Sequence, residues 1–247
     1  MSGAGGRILG GLALALLAGC APEVVTDRGE AEVPGVLMLF QSFFPSADVQ
    51  IRGTNPGGLR LSYAVRWDVE PAEFSFSVDE ATGVATASID CHLNYVCEVE
   101  LVAEVDPAVA IRVDTLVGPI TVEDVAGAVE LSVQTGDVAL ARLSGTAQVG
   151  VETGEVTGED LACPDLYVGG REGGRTIGYG ALAEGAPLAV ALRTVAGDID
   201  LSVPTGAYAV DVEATGAVDV EGIEDDPTQT RTIGAVTGGG SVSIRGY

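Results

Sequence analysis

Residues 117–156 read VGPITVEDVAGAVELSVQTGDVALARLSGTAQVGVETGEV, and their spacing decides the fold. Gly118, Gly127, Gly136, Gly145 and Gly154 stand at a constant step of nine. Apolar residues recur at twice that step. Val113, Leu131, Val149 and Tyr167 form one ladder; Ile120, Val138 and Val156 form another; Val125, Leu143 and Leu161 form a third. Thr135-Gly136 and Thr153-Gly154 repeat in the same phase. Several aliphatic ladders in one phase mean stacked repeats rather than an accidental run of glycines. Each eighteen-residue unit reads as about three short strands. Glycine would mark the corners, where positive φ or close backbone approach is needed. One such rung cannot offset its own ordering entropy, so neighbouring rungs must share hydrogen bonds and burial.

Outward from this stretch the pattern loosens. Gly169-Gly170 and Gly173-Gly174 suggest a loop or irregular rung between 155 and 190. Strand-like segments return at Gly197–Pro204, Tyr208–Val212, Thr215–Val220 and Thr237–Ile244, with a surface loop at 222–232. Towards the N-terminus, residues 36–110 look like ordinary antiparallel strands. Leu61, Tyr63, Val65, Trp67 and Val69 alternate with polar or small residues, as do Phe74, Phe76 and Val78. Val36–Phe40 has no alternation, which suits a strand covered on both faces or one that docks a partner. Residues 21–35 are polar, acidic and contain Pro22 and Pro34, and read as a tether.

The first twenty residues carry an address. Arg7 is followed by the apolar stretch Ile8–Leu17 and then by Ala18-Gly19-Cys20. This resembles the signal peptide and lipobox of a bacterial lipoprotein, with cleavage before Cys20 and lipid on its sulfur. Competing readings are an ordinary secretory cut and an uncleaved membrane helix. The apolar run is too short for the latter, which needs about 20 residues. Pro22 rather than aspartate at that position resembles lipoproteins sorted to the outer membrane. The expected organisation is a signal peptide at 1–19 and a lipidated cysteine with its tether at 20–35. An antiparallel β region at 36–110 then caps a β-solenoid at 111–247.

The chain has 12 basic and 36 acidic residues, a net charge of −24, and its basic residues are all arginine. Such acidity argues against nucleic acid or an anionic membrane surface as partner. Cys91 and Cys97 enclose five residues between strand-like flanks, so a disulfide could close a hairpin end. A metal site is the sharper alternative, but the chain has one histidine, His92. Cys163 is left over, either buried or free.

The repeated Thr-Gly-x-Val units, the run from Gly197 to Tyr208 and the closing Thr237-Gly238-Gly239-Gly240-Ser241-Val242-Ser243-Ile244 resemble the DUF4097 family of bacterial adhesin-like proteins. Arg231-Thr232-Ile233 and the acidic loop before it also fit. The resemblance covers about residues 85–247. It implies an all-β, solenoid-like fold and a cell-envelope setting, and it brings no catalytic motif.

Chemistry is sparse. A Ser–His–Asp or Cys–His arrangement would have to use His92. Gly238-Gly239-Gly240 is followed by strand residues rather than by the lysine and helix of a phosphate loop. No cofactor is expected. Asp198, Asp200, Asp211, Glu213, Asp219 and Glu221 alternate with apolar residues, and are either a solvated face or an acidic ladder for calcium. The leading expectation is a non-enzymatic, lipid-anchored envelope protein that uses a β-solenoid for structure, adhesion or binding of a polysaccharide or envelope protein. Two alternatives stand beside it. One is a polysaccharide lyase or hydrolase on the same scaffold. The other is an accessory to envelope assembly or stress sensing, whose terminal strand near Val242 docks another protein.

Overall fold

A computed structural model describes residues 24–35, 39–91, 96–182 and 186–247. Cys20 with its signal, Val36–Met38 and His92 lie outside these residues. The described chain is all-β, and its body is a β-solenoid.

Each regular rung contributes one strand to each of two sheets. The first rungs are β7 (Ala110–Val117) and β8 (Ile120–Glu123), then β9 (Val129–Thr135) and β10 (Val138–Ala141), then β11 (Ala147–Thr153) and β12 (Val156–Leu161). The odd strands form sheet B and the even strands sheet A, all in parallel register. The third arm is a short return, outside the strands in the first two of these rungs and meeting the end of β12 in the third. There Val125, Leu143 and Leu161 are buried. Their backbones pair from rung to rung, as in Ser144 N–H to the Val125 carbonyl at 3.0 Å.

The nine-residue glycine step has two physical causes, half a rung apart. Gly118, Gly136 and Gly154 turn the chain from sheet B to sheet A with φ of 123°, 153° and 145°. A Cβ at Gly136 would collide with the carbonyl oxygen of Gly118, and one at Gly154 with that of Gly136. Gly127 and Gly145 line the opposite corner, where the close approach of one backbone to the next is the constraint. The first column continues through Gly173 and Gly197 to Gly240. The corner is therefore a wall of backbone with no room for a side chain.

The ladders hold until the third step. Val113, Leu131 and Val149 stack and are buried, but Val149 pairs with Val168 rather than Tyr167. The return Leu161-Ala162-Cys163-Pro164-Asp165 is one residue longer than Leu143-Ser144-Gly145-Thr146. The step becomes nineteen, and in a strand a shift of one turns Tyr167 outward. Of the loop or irregular rung expected around Gly169 and Gly173, the structure has the rung, β13 (Asp165–Glu172) and β14 (Arg175–Tyr179), with a register shift between Gly158 and Leu161 where β14 pairs with β12. Arg175 occupies the inward column of Ile120, Val138 and Val156 and is fully buried. Its guanidinium lies against Gly170, where a side chain would meet both Nη2 and the Val151 carbonyl. Nη1 donates to the carbonyls of Gly154 and Gly174, each at 2.9 Å. Burial pushes its pKa down.

After β15 (Ala189–Thr194) and β16 (Ile199–Val203), spatial order departs from chain order. The next segments, β17 (Gly206–Ala214) and β18 (Val218–Glu221), end the two sheets. The short β19 (Ile223–Asp225) leads back to β20 (Thr232–Thr237) and β21 (Val242–Gly246). These insert between, with β15–β20–β17 in sheet B and β16–β21–β18 in sheet A. The strand near Val242 is thus paired on both sides and is not a free docking strand.

The region 36–110 is mixed rather than wholly antiparallel. β2 (Leu39–Arg52) is itself a rung: its first half pairs parallel with β7 on one side and β5 (Val84–Asp90) on the other, and its second half with β8 and β6 (Cys97–Val105). Val49 and Ile51 continue the columns of Ile120 and Val122 and pass them on to Leu101 and Ala103 of the next rung. Beyond it, β3 (Gly58–Trp67) pairs antiparallel with β6, and β4 (Glu73–Asp79) with β5. β1 (Val25–Pro34) pairs with β3 along its whole length, so most of the expected tether is an edge strand. Gly29, Ala31 and Val33 alternate with Arg28, Glu30 and Glu32, a period-two pattern hidden by its small residues.

Candidate functional site

Side chains that alternate away from the core form rows across both outer faces, at the strand spacing of about 4.8 Å. On sheet A one row is small or hydroxylic, with Thr121, Ala139, Thr157 and Thr176 in sequence, followed by Asp200, and the next runs Arg52, Glu123, Ala141, Glu159, with no aromatic in either. Sheet B is different. One row runs Arg112, Glu130, Gln148, Tyr167; the next runs Phe43, Asp114, Ser132, Gly150, Gly169. Phe43 is 52% exposed and Tyr167 is 39% exposed. They stand four strands apart, about 19 Å.

The two aromatics are placed by different local causes. Phe43 faces out because its neighbours Ser42 and Phe44 alternate into the core. It borders a shallow depression of about 330 Å³ with Asp114, Leu116, Ser132, Gln134 and Glu152. Tyr167 faces out through the one-residue slip. Its ring leans along the strand over Gly169, covering bare backbone where a side chain would clash with it. Gly150 beside it keeps the neighbouring position low. Around them Arg112 reaches Asp114 at 3.3 Å and Glu130 at 3.7 Å, and Arg171 and Arg193 add exposed guanidinium groups. Two aromatic surfaces with amide, hydroxyl and guanidinium groups between them suit a long ligand with apolar faces and many hydroxyls. The depression is shallow, which favours a chain lying along the face over an engulfed small molecule.

The residues singled out in the sequence fall elsewhere. Cys91 and Cys97 form a disulfide with Cα atoms 5.8 Å apart. It spans the crossover from β5 in sheet B to β6 in sheet A rather than a hairpin end. Cys163 is buried and unpaired; its Sγ points at the Leu143 carbonyl, and burial pushes its thiol up to about 12. The acidic ladder is not assembled. Asp200 and Asp219 are separated by Ser243 of the inserted β21, and Asp211 and Glu213 lie on the other sheet. The Asp198 carboxylate accepts the Ser241 N–H at 2.8 Å, a corner contact. Among the described residues no three His, Cys, Asp or Glu side chains gather as a metal group.

Two features escaped the sequence reading. Phe43 and Tyr167 gave no face signal, because Phe43 lies just past the apolar run Val36–Phe40 and belonged to no pattern, and Tyr167 was placed in a core ladder. The second feature is a charge column at the third corner. Asp124, Arg142 and Asp160 all take positive φ of 52–60°, eighteen residues apart. Arg142 Nε donates to Asp124 at 2.6 Å, which holds that carboxyl below the usual range. The eighteen-residue step alone could have revealed it.

The sequence matches no family model and no curated protein. Among solved structures, the fold is similar to that of a candidate adhesin from Parabacteroides merdae. The identity is 11%, the match covers 89% of this chain and 96% of that one, and the TM-score is 0.47. It is also similar to a candidate cell adhesion protein from Clostridium sporogenes, at 12% identity over 90% and 100% of the chains with a TM-score of 0.35. A candidate lipid-binding protein from Parabacteroides distasonis matches at 10% over 89% and 97%, with a TM-score of 0.26. These are distant likenesses of strand layout, and no residue role is carried over from them.

Proposed function

We propose that this chain is a lipid-anchored protein of the bacterial cell envelope that binds an extended polysaccharide on the outer face of sheet B without cleaving it. Cys20 would be the lipidated residue, and Pro22 favours the outer membrane. The observation that carries the binding reading is the pair of exposed aromatics, Phe43 and Tyr167, on one face with Ser132, Gly150 and Gln148 between them. The rigid glycine-cornered stack fixes their separation. A sugar ring can stack on each aromatic while its hydroxyls meet the polar rows.

Affinity electrophoresis of the full chain against neutral and acidic envelope polysaccharides tests this reading. Binding should weaken about two- to twelvefold for Phe43→Ala and again for Tyr167→Ala, as loss of one aromatic contact worth about 0.5–1.5 kcal/mol requires. Both side chains are exposed, so the melting temperature should not move. Cleavage of a bound polysaccharide would replace this reading with an enzymatic one. Incorporation of labelled fatty acid that survives Cys20→Ala would remove the anchor.

A further inference from the structure

The inserted rung leaves one end of the solenoid in an unusual state. Among the described residues, β18 pairs only with β21, so one whole side of its backbone has no strand partner. Val218 and Val220 continue the core columns of Val242 and Ile244, yet they are 51% and 40% exposed because no further rung covers them. The outward positions alternating with them are Asp219 and Glu221, and the adjoining edge of β17 carries Asp211 and Glu213. Arg245 sits in register beside Glu221 as the nearest basic position.

We propose that this end is a docking surface for a basic, extended segment of a partner protein, which adds to β18 as one more strand. Three observations converge on that occupant. The unpaired edge supplies backbone donors and acceptors, the basis of strand addition. The two valines supply an apolar floor that alternates with period two, so the incoming strand needs apolar residues at every second position. Asp219 and Glu221 set the intervening positions, which must carry Lys or Arg. A second copy of this chain does not meet the last condition. The edge strands at the far end, β1 and β4, carry Asp27, Glu30, Glu32, Glu73 and Asp79 against Arg28, and the whole chain stands at −24. Pairing two copies would oppose like charges, while the same carboxylates welcome a basic strand.

The test uses fluorescence anisotropy of the full chain with labelled synthetic peptides. A peptide alternating Val with Arg should bind. A peptide alternating Val with Glu should bind at least tenfold more weakly, as should a block-ordered peptide of the same Val and Arg composition. Proline in place of alternate residues, which removes backbone N–H groups, should abolish binding. The double variant Val218→Ser, Val220→Ser, which removes the apolar floor without changing the charge, should lose at least tenfold in affinity while still melting cooperatively, since both side chains are half-exposed at the end of the stack. Equal binding of the alternating and block-ordered peptides would reduce the surface to general charge attraction and overturn the proposal. Failure of the alternating peptide to bind would overturn it too, as would sedimentation showing association of copies that the double variant abolishes.

Discussion

At the scale of single residues, backbone geometry decides more than side-chain chemistry. Gly136 holds φ of 153° against the Gly118 carbonyl, so Gly136→Ala should cost about 3 kcal/mol or more in a urea melt. Gly174→Ala is the control: the nearest atom to its Cβ would be the Asp198 carbonyl oxygen at 3.7 Å, and stability should change by under about 1 kcal/mol. Arg175 is the chemical exception in the core. Arg175→Ala removes donors from the Gly154 and Gly174 carbonyls and leaves a void beside Gly170, and should cost about 3 kcal/mol. Arg175→Met restores volume without the donors and should lose less. The Asp124–Arg142 pair gives a pH signature. Its folded carboxyl pKa is depressed, so its contribution is present at neutral pH and lost as pH falls below about 4. Arg142→Ala should therefore lower the melting temperature at pH 7, and by progressively less as pH is taken down from about 4.

At the scale of elements, the rung was legible because its determinants are local and periodic. Glycine at a fixed corner and a valine or leucine facing the core leave the same mark in every repeat. Val138 pairs with Ile120 on one side and Val156 on the other, so Val138→Asp should break the stack and abolish the cooperative melt. What escaped was anything that slipped the period. One extra residue at Cys163-Pro164 moved Tyr167 from the core to the surface, and the β1 strand hid its alternation behind glycine and alanine. Arg175 was unreadable for another reason: its partner is a missing side chain at Gly170, not a residue of opposite charge. The Cys91–Cys97 bridge was legible from its spacing between strand-like flanks, while its setting between two sheets was not. Cys163 should resist thiol reagents until denaturant is added, since its thiol is buried and held in the protonated form.

At the scale of the whole molecule, the order of rungs carries the functional argument. Insertion of β20 and β21 between older neighbours is long-range, and no local pattern in residues 206–247 encodes it. It separates the carboxylates that looked like a calcium ladder, buries the strand that looked free, and opens β18 in its place. Cysteine cross-linking across outward positions tests that order most directly. Asp200 and Ser243 are in-register neighbours about 4.8 Å apart, within disulfide reach, whereas Asp200 and Asp219 are two strands and about 10 Å apart. The inserted order predicts that mild oxidation closes a disulfide in the variant carrying Asp200→Cys and Ser243→Cys, and leaves the one carrying Asp200→Cys and Asp219→Cys open. Closure of the second pair and not the first would mean that the rungs stack in chain order, and would contradict the account.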